Sequence, residues 1–234
     1  MAASLVLLFT ILLLGIPAAL VFIPWAMITG NATPLYNASI GIVRLALRLA
    51  LIRVKTTGLE HVPSHTACIF MSNHVSNLDP PMLCPLIPRR TSVLAKKTVW
   101  RIPILGPALD LAEIVPVERE NRESAIQSIR RAGEVMQHGI NMTLFPEGTR
   151  SRDGRLLPFK KGPFHLAAET GFPVVPITIL GTYEMMPKGS KFVRGGTATL
   201  VFHPPIDSKK YASREELMQA VREAIESALP VERQ

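Results

Sequence analysis

From Thr66 onward the chain alternates short apolar runs with stretches in which apolar residues recur every three or four positions. Thr66–Met71, Thr91–Ala95, Glu113–Val117, Asn141–Phe145, Pro173–Leu180 and Thr197–Phe202 read as strands, being short, apolar and bounded by turn residues. Between Asn121 and His138, Ile126, Ile129, Ala132, Val135 and Met136 share one helical face, with Asn121 as cap and Gly139 as stop. A shorter helix covers Pro163–Thr170 and ends at Gly171. The last opens on a capping box, Ser213 with Glu216, and lines up Leu217, Val221, Ala224 and Ile225 for core packing. Strands alternating with helices predict an α/β fold: a mostly parallel mixed sheet flanked by helices.

The first 55 residues follow a different pattern. No charged side chain precedes Arg44, and Leu5–Ile28 is almost wholly apolar. As a helix this run measures roughly 36 Å, enough to cross a bilayer core of about 30 Å. A cleavable leader fits poorly, because a basic start is missing and the apolar run is too long. Pro17 and Pro24 suggest a kink or an end. After the polar turn Thr29–Pro34, Ser39–Val54 is apolar but interrupted by Arg44, Arg48 and Arg53; Arg44 and Arg48, four apart, share a face. This segment reads as an interfacial helix whose arginines snorkel to headgroups. We therefore expect a membrane-embedded helical hairpin over 1–55 and an α/β domain over 56–234, joined through Thr56–Pro63. Arg48, Arg53 and Lys55 place that domain on the cytoplasmic face of the cell membrane.

Charge adds direction without choosing a partner. With 26 Lys+Arg against 18 Asp+Glu, the chain is basic, which suits anionic lipid, phosphorylated small substrates or nucleic acid. The two cysteines, Cys68 and Cys84, lie in or beside apolar segments with no metal spacing and read as buried thiols.

Candidate chemistry gathers in two polar turns. In Asn73-His-Val-Ser-Asn-Leu-Asp79, His74 and Asp79 are five apart, roughly 140° around a straight helix, so they meet only if the chain turns between them. Ser72, Asn73, Ser76, Asn77 and Pro80-Pro81 favour such a turn. A histidine oriented by a carboxylate accepts and then holds a proton near neutral pH. The chain has no Gly-x-Ser-x-Gly elbow, so this base would act on a substrate hydroxyl or on water. Taken alone, the spacing equally describes a histidine satisfied at a strand end and an aspartate capping a helix. A metal site finds no support, since His203 is the only other candidate ligand.

The second turn, Phe145-Pro-Glu-Gly-Thr-Arg150, follows a strand. Gly148 permits close backbone approach, Thr149 adds a hydroxyl, and the planar fork of Arg150 suits a phosphate. Lys97 and Arg119, each at a predicted strand end, are candidates to join Arg150 on a phosphate dianion beside His74.

Together these blocks resemble the glycerolipid acyltransferase family, whose hallmark is NHxxxxD. Phe145–Arg150 matches that family's third block as it stands, Glu113–Arg119 resembles the second, and Val175-Pro-Ile177 the fourth, in the family's order from about residue 55 to 205. In layout the chain most resembles the bacterial 1-acyl-sn-glycerol-3-phosphate acyltransferases. The resemblance implies acyl transfer from acyl-CoA or acyl carrier protein to the sn-2 hydroxyl of lysophosphatidate, giving phosphatidate with no acyl-enzyme. His74 would be the general base and Asp79 its orienting partner. Arg150, with Arg119 and Lys97, would hold the phosphate, and Glu147, Gly148 and Thr149 would shape the acceptor site. No cofactor, metal or nucleic acid is implied; the partners are membrane lipids and the acyl carrier. One departure stands out: where the family's second block reads Gly-x-Ile-Phe-Ile-x-Arg, this chain has Glu113 for the Gly and Pro116 for the Phe. Another lysolipid or glycerol-3-phosphate as acceptor, or a non-catalytic lipid-binding role, stays open.

Overall fold

The computed structural model describes residues 2–118 and 121–234. Strands β1 (Ile52–Thr57), β2 (Ile69–Ser72), β3 (Thr91–Lys96), β4 (Val115–Val117), β5 (Asn141–Leu144), β6 (Val174–Leu180) and β7 (Gly196–Phe202) form one sheet among the described residues, ordered β1-β7-β6-β2-β5-β3-β4. Every neighbouring pair is parallel except β6 with β7. The expected α/β fold with a mostly parallel mixed sheet is the one observed.

The pleat sorts the core. In and beside β2, Ile69 and Met71 point to one face while Cys68 and Phe70 point to the other, the two-residue period of a strand. The first face is covered by α5 (Arg122–Gln137), α6 (Gly162–Thr170) and α8 (Arg214–Glu226), which bring Ala132, Phe164, Leu166, Val221 and Ile225 into one cluster. The second is covered by the end of α2 (Thr33–Leu49) and by α3 (Asp79–Leu83), through Leu47, Ala50, Met82 and Leu83. Fully burying a side chain such as Phe70 or Phe164 contributes about 1.5–3 kcal/mol each.

Helix caps follow the sequence closely. The Asn121 side chain accepts the Ser124 N–H, and Gly171 closes α6 in the left-handed conformation. At α8, Ser213 Oγ accepts the Glu216 N–H, but the Glu216 carboxylate reaches past Ser213 to the Ala212 N–H at 3.2 Å.

The N-terminal region departs from expectation in four ways. Helix α1 (Ala2–Thr29) runs unbroken through Pro17 and Pro24. Its outer surface, including Leu5, Phe9, Leu20 and Trp25, is exposed, and its length and apolar composition suffice to cross a membrane. The second helix spans Thr33–Leu49 and ends where Leu51 takes a positive φ of 56°, earlier than the expected Val54. Residues 52–57 are instead β1, paired in parallel with β7, so a strand crosses the junction expected at residues 55–56. Ile52 and Val54 alternating with Arg53 and Lys55 carry the strand period, which the apolar run before them obscures. Arg44, expected to reach for headgroups, donates to the Pro85 carbonyl and ties α2 to the domain.

Because β2, β3, β4, β5 and β6 all point the same way, their C-terminal ends share one edge of the sheet. Ligand sites of α/β sheets form outside that edge. Both polar turns singled out above lie there.

Candidate active site

The site begins where β2 ends. The Asn73 amide donates to the Ile179 carbonyl at 2.9 Å and accepts the Ile179 N–H at 2.8 Å, continuing the β2–β6 ladder with a side chain. The next residue, His74, is held by its backbone on two sides. Its N–H donates to Glu147 Oε1 at 2.6 Å, and its carbonyl accepts the Ser151 N–H at 2.8 Å. The two polar turns thus form one hydrogen-bonded unit.

The turn brings the distant pair together. His74 Nδ1 lies 2.7 Å from Asp79 Oδ2, and the same oxygen accepts the Val75 and Ser76 N–H groups at 2.8 Å each. Asp79 is completely buried at the first turn of α3. A carboxylate oxygen gripped by two backbone donors cannot swing away, and it orients the imidazole so that Nδ1 carries the proton. The opposite nitrogen, Nε2, has no hydrogen-bond partner among the described residues and is the one left to accept a proton. The ring is further fixed by stacking on Phe145, with centroids 4.0 Å apart.

The third-block residues divide their work. Glu147 is buried and turned inward: Oε1 accepts the His74 N–H and Oε2 the Leu157 N–H at 2.9 Å. Burial pushes its carboxyl up to about 7, against the pull of those two donors. Both carboxylate oxygens are thus already committed to backbone, and Glu147 organises the turns themselves. Gly148 has a φ of 69°, and a Cβ there would lie 3.2 Å from Lys160 Cγ, so both conformation and space favour glycine. Thr149 is exposed and Arg150 half-buried; the Arg150 guanidinium forms no ion pair with a described residue.

Lys97 follows β3 and pairs with Glu118 at 2.8 Å, largely in solvent. Since β3 lies two strands from β2, its end stands about 10 Å away at the usual strand spacing. Arg119 lies outside the described residues.

Lys188 was not singled out in the sequence. Its ammonium donates to the Arg150 carbonyl at 2.7 Å and to Thr149 Oγ1 at 3.1 Å. Its neighbours grip the other turn: Ser76 bridges Pro187, and Ser76 Oγ donates to the Met186 carbonyl at 2.8 Å. A single lysine in Met186-Pro-Lys-Gly189 carries no signal beyond a turn.

The second-block departures have structural counterparts. Glu113 adopts a φ of 58°, the left-handed region that glycine occupies without strain. Pro116 lies in the edge strand β4, where a missing N–H costs no ladder bond. Cys68 is buried, whereas Cys84, expected to be so, is only partly buried; desolvation raises the thiols to about 11 for Cys68 and about 12 for Cys84, so neither is a thiolate nucleophile at neutral pH.

A base on a buried carboxylate, at the C-terminal edge of a mostly parallel sheet, defines the class. Residues 53–180 match the model of the acyltransferase family, and the chain belongs to that family. Among its relatives, a 1-acyl-sn-glycerol-3-phosphate acyltransferase of Borreliella burgdorferi is 32% identical over 190 residues, 78% of this chain and 74% of that one. A chloroplastic enzyme of the same name from Arabidopsis thaliana is 36% identical over 205 residues, 87% of this chain and 56% of that one. The chain spans about half the length of these plant relatives, one from Brassica napus and one from Arabidopsis thaliana. In three dimensions it resembles the crystal structure of the 1-acyl-sn-glycerophosphate acyltransferase of Thermotoga maritima. The TM-score is 0.80 at 28% identity, covering 97% of this chain and 92% of the other.

Proposed function

We propose that this protein transfers a fatty acyl group from acyl-CoA or acyl carrier protein to the sn-2 hydroxyl of 1-acyl-glycerol-3-phosphate, yielding phosphatidate. The observation that carries the reading is the His74–Asp79 pair, in which Nδ1 is held by the carboxylate and Nε2 has no hydrogen-bond partner among the described residues. His74 Nε2 takes the hydroxyl proton as the oxygen attacks the thioester carbonyl. Asp79 stabilises the imidazolium so formed. The tetrahedral adduct then expels the carrier thiolate, which takes the proton back from His74. No acyl-enzyme forms and no cofactor enters. Arg150 holds the acceptor phosphate, with Lys97 and Arg119 as further cations for it and Thr149 lining the approach.

Exposed apolar residues along α1 suit a seat in the cell membrane, with the α/β domain on its cytoplasmic face, where a lysolipid and its diacyl product reside. The test is direct. Purified protein is given labelled palmitoyl-CoA or palmitoyl carrier protein with lysophosphatidate, glycerol-3-phosphate and neutral lysolipids. Transfer to lysophosphatidate that His74→Ala abolishes is the expected result. Transfer to a different acceptor alone overturns the substrate assignment, and no transfer from either donor overturns the activity.

A further inference from the structure

A cleft adjoins the catalytic turns, with Gly148 among its lining residues. It lies on the α5/α6 face of the sheet, with a volume of about 750 Å3. Phe145 and Pro146 form one end, Ile126 and Ile129 of α5 form a wall, and Arg130 and Lys160 stand among its lining residues. Two features set it apart from ordinary helix packing. Ile126 is 47% exposed on a helix whose later apolar residues, Ala132, Val135 and Met136, are buried in the core. Further along, the two helices close up: a Cβ on Gly133 would lie 3.5 Å from Thr170 Cγ2 and 3.6 Å from Leu166 Cδ1. The two helices also touch near the start of α6, where a Cβ on Gly162 would lie 3.7 Å from Ile129 Cδ1, and the cleft lies beside that seam.

We propose that this cleft receives the phosphopantetheine arm of the acyl donor, with the thioester at the Phe145 end and the arm's phosphate on Lys160 and Arg130. The inference rests on the acyl-transfer reading above. Position argues for it first: Phe145, on which the His74 ring stacks, is one of the residues lining the cleft. The wall chemistry argues for it second. A plain hydrocarbon chain here would leave the exposed cations Arg130 and Lys160 at the cleft without a partner. A phosphopantetheine arm alternates methylenes with amides and ends in a phosphate, matching apolar walls with a cationic lip.

The charges at that lip are not equally available. Lys161 is paired with Glu215 at 2.8 Å, and the His165 ring is engaged by Arg214. Lys160 and Arg130, both exposed, have no ion-pair partner among the described residues. Glu169, the acid of the wall, sits a helical turn beyond His165. Coenzyme A and acyl carrier protein share the phosphopantetheine arm, so the cleft by itself serves either.

The test compares three palmitoyl thioesters: those of coenzyme A, acyl carrier protein and N-acetylcysteamine, the last lacking the phosphate and most of the arm. Arg130→Glu changes an exposed side chain, and Ile126→Trp fills the cleft. Each is expected to raise the KM for the phosphopantetheine donors about tenfold or more, the size of a lost charge-assisted contact. The KM for the truncated thioester and for lysophosphatidate should stay at wild-type values. A rise with one carrier only assigns the cleft to that carrier. Unchanged donor KM in both variants, or an equal rise with the truncated thioester, overturns the proposal while leaving acyl transfer standing. If the wild-type protein transfers from none of the three, the acyl-transfer reading fails and this one with it.

Discussion

Glu147 Oε1 accepts the backbone N–H of His74 at 2.6 Å, while its second oxygen accepts the Leu157 N–H. One buried carboxylate thus fixes the turn that carries the base to the loop that carries Arg150. Glutamine offers a single acceptor oxygen and must set its amide N–H2 against one of these donors. Glu147→Gln should therefore lower kcat about tenfold, with one buried N–H unsatisfied at roughly 1–3 kcal/mol.

The same carboxyl has a pH signature. Its folded-state value of about 7, raised from 4.5 by burial, means that the folded protein binds a proton the unfolded chain has lost between those values. The Glu147 contribution to stability therefore falls as pH rises through that window, by up to about 3 kcal/mol. Thermal unfolding at pH 5 and pH 8 should show the wild-type advantage over Glu147→Gln shrinking at the higher pH. A constant gap would remove the titration from this site.

Asp79 gathers three donors on one oxygen. Asn in its place keeps the shape but not the charge, and lets the imidazole adopt the wrong tautomer. Asp79→Asn should cut kcat by on the order of 10²- to 10⁴-fold with little change in either substrate's KM. A pure KM effect would make Asp79 a binding residue.

Lys188 bonds the Arg150 carbonyl and Thr149, so it holds the loop to which we assign the acceptor phosphate. Lys188→Met should raise the KM for lysophosphatidate about tenfold, a lost charge-assisted bond being worth about 1.5 kcal/mol or more. Arg150→Ala should raise it further, and Arg155→Ala, an exposed change, hardly at all. Equal effects for Arg150 and Arg155 would reduce Arg150 to a surface charge.

Glu113 occupies a backbone conformation that costs a non-glycine residue about 1–2 kcal/mol, and its Oε2 is buried with no partner among the described residues. Glu113→Gly should raise the melting temperature, a gain of about 1 kcal/mol, without altering kcat. A loss of stability would mean that the Glu113 side chain contributes packing that outweighs its strain.

What was legible in the sequence was local. Strands β2 to β7 follow from short apolar runs, α5 and α8 from apolar spacing and caps, and the His74–Asp79 turn from Asn, Ser and Pro in a short polar stretch. Arg150 was legible because its signal lies within six consecutive residues. The inward turn of Glu147 was not, because its donors sit 73 and 10 positions away and face it only once β2 and β5 pair. Lys188, 38 residues beyond Arg150, reaches that loop only because β6 lies beside β2.

The same division holds for the opening of the domain. Composition alone determined that the chain starts with an apolar helix, because crossing length and absence of charge are properties of a single segment. Only the tertiary structure decided that Ile52–Thr57 is a strand, because its pairing partner, β7, lies more than a hundred residues later. Periodicity and capping are set by neighbours along the chain. The partner of a buried polar group, or of a strand edge, is set by how the sheet is wound.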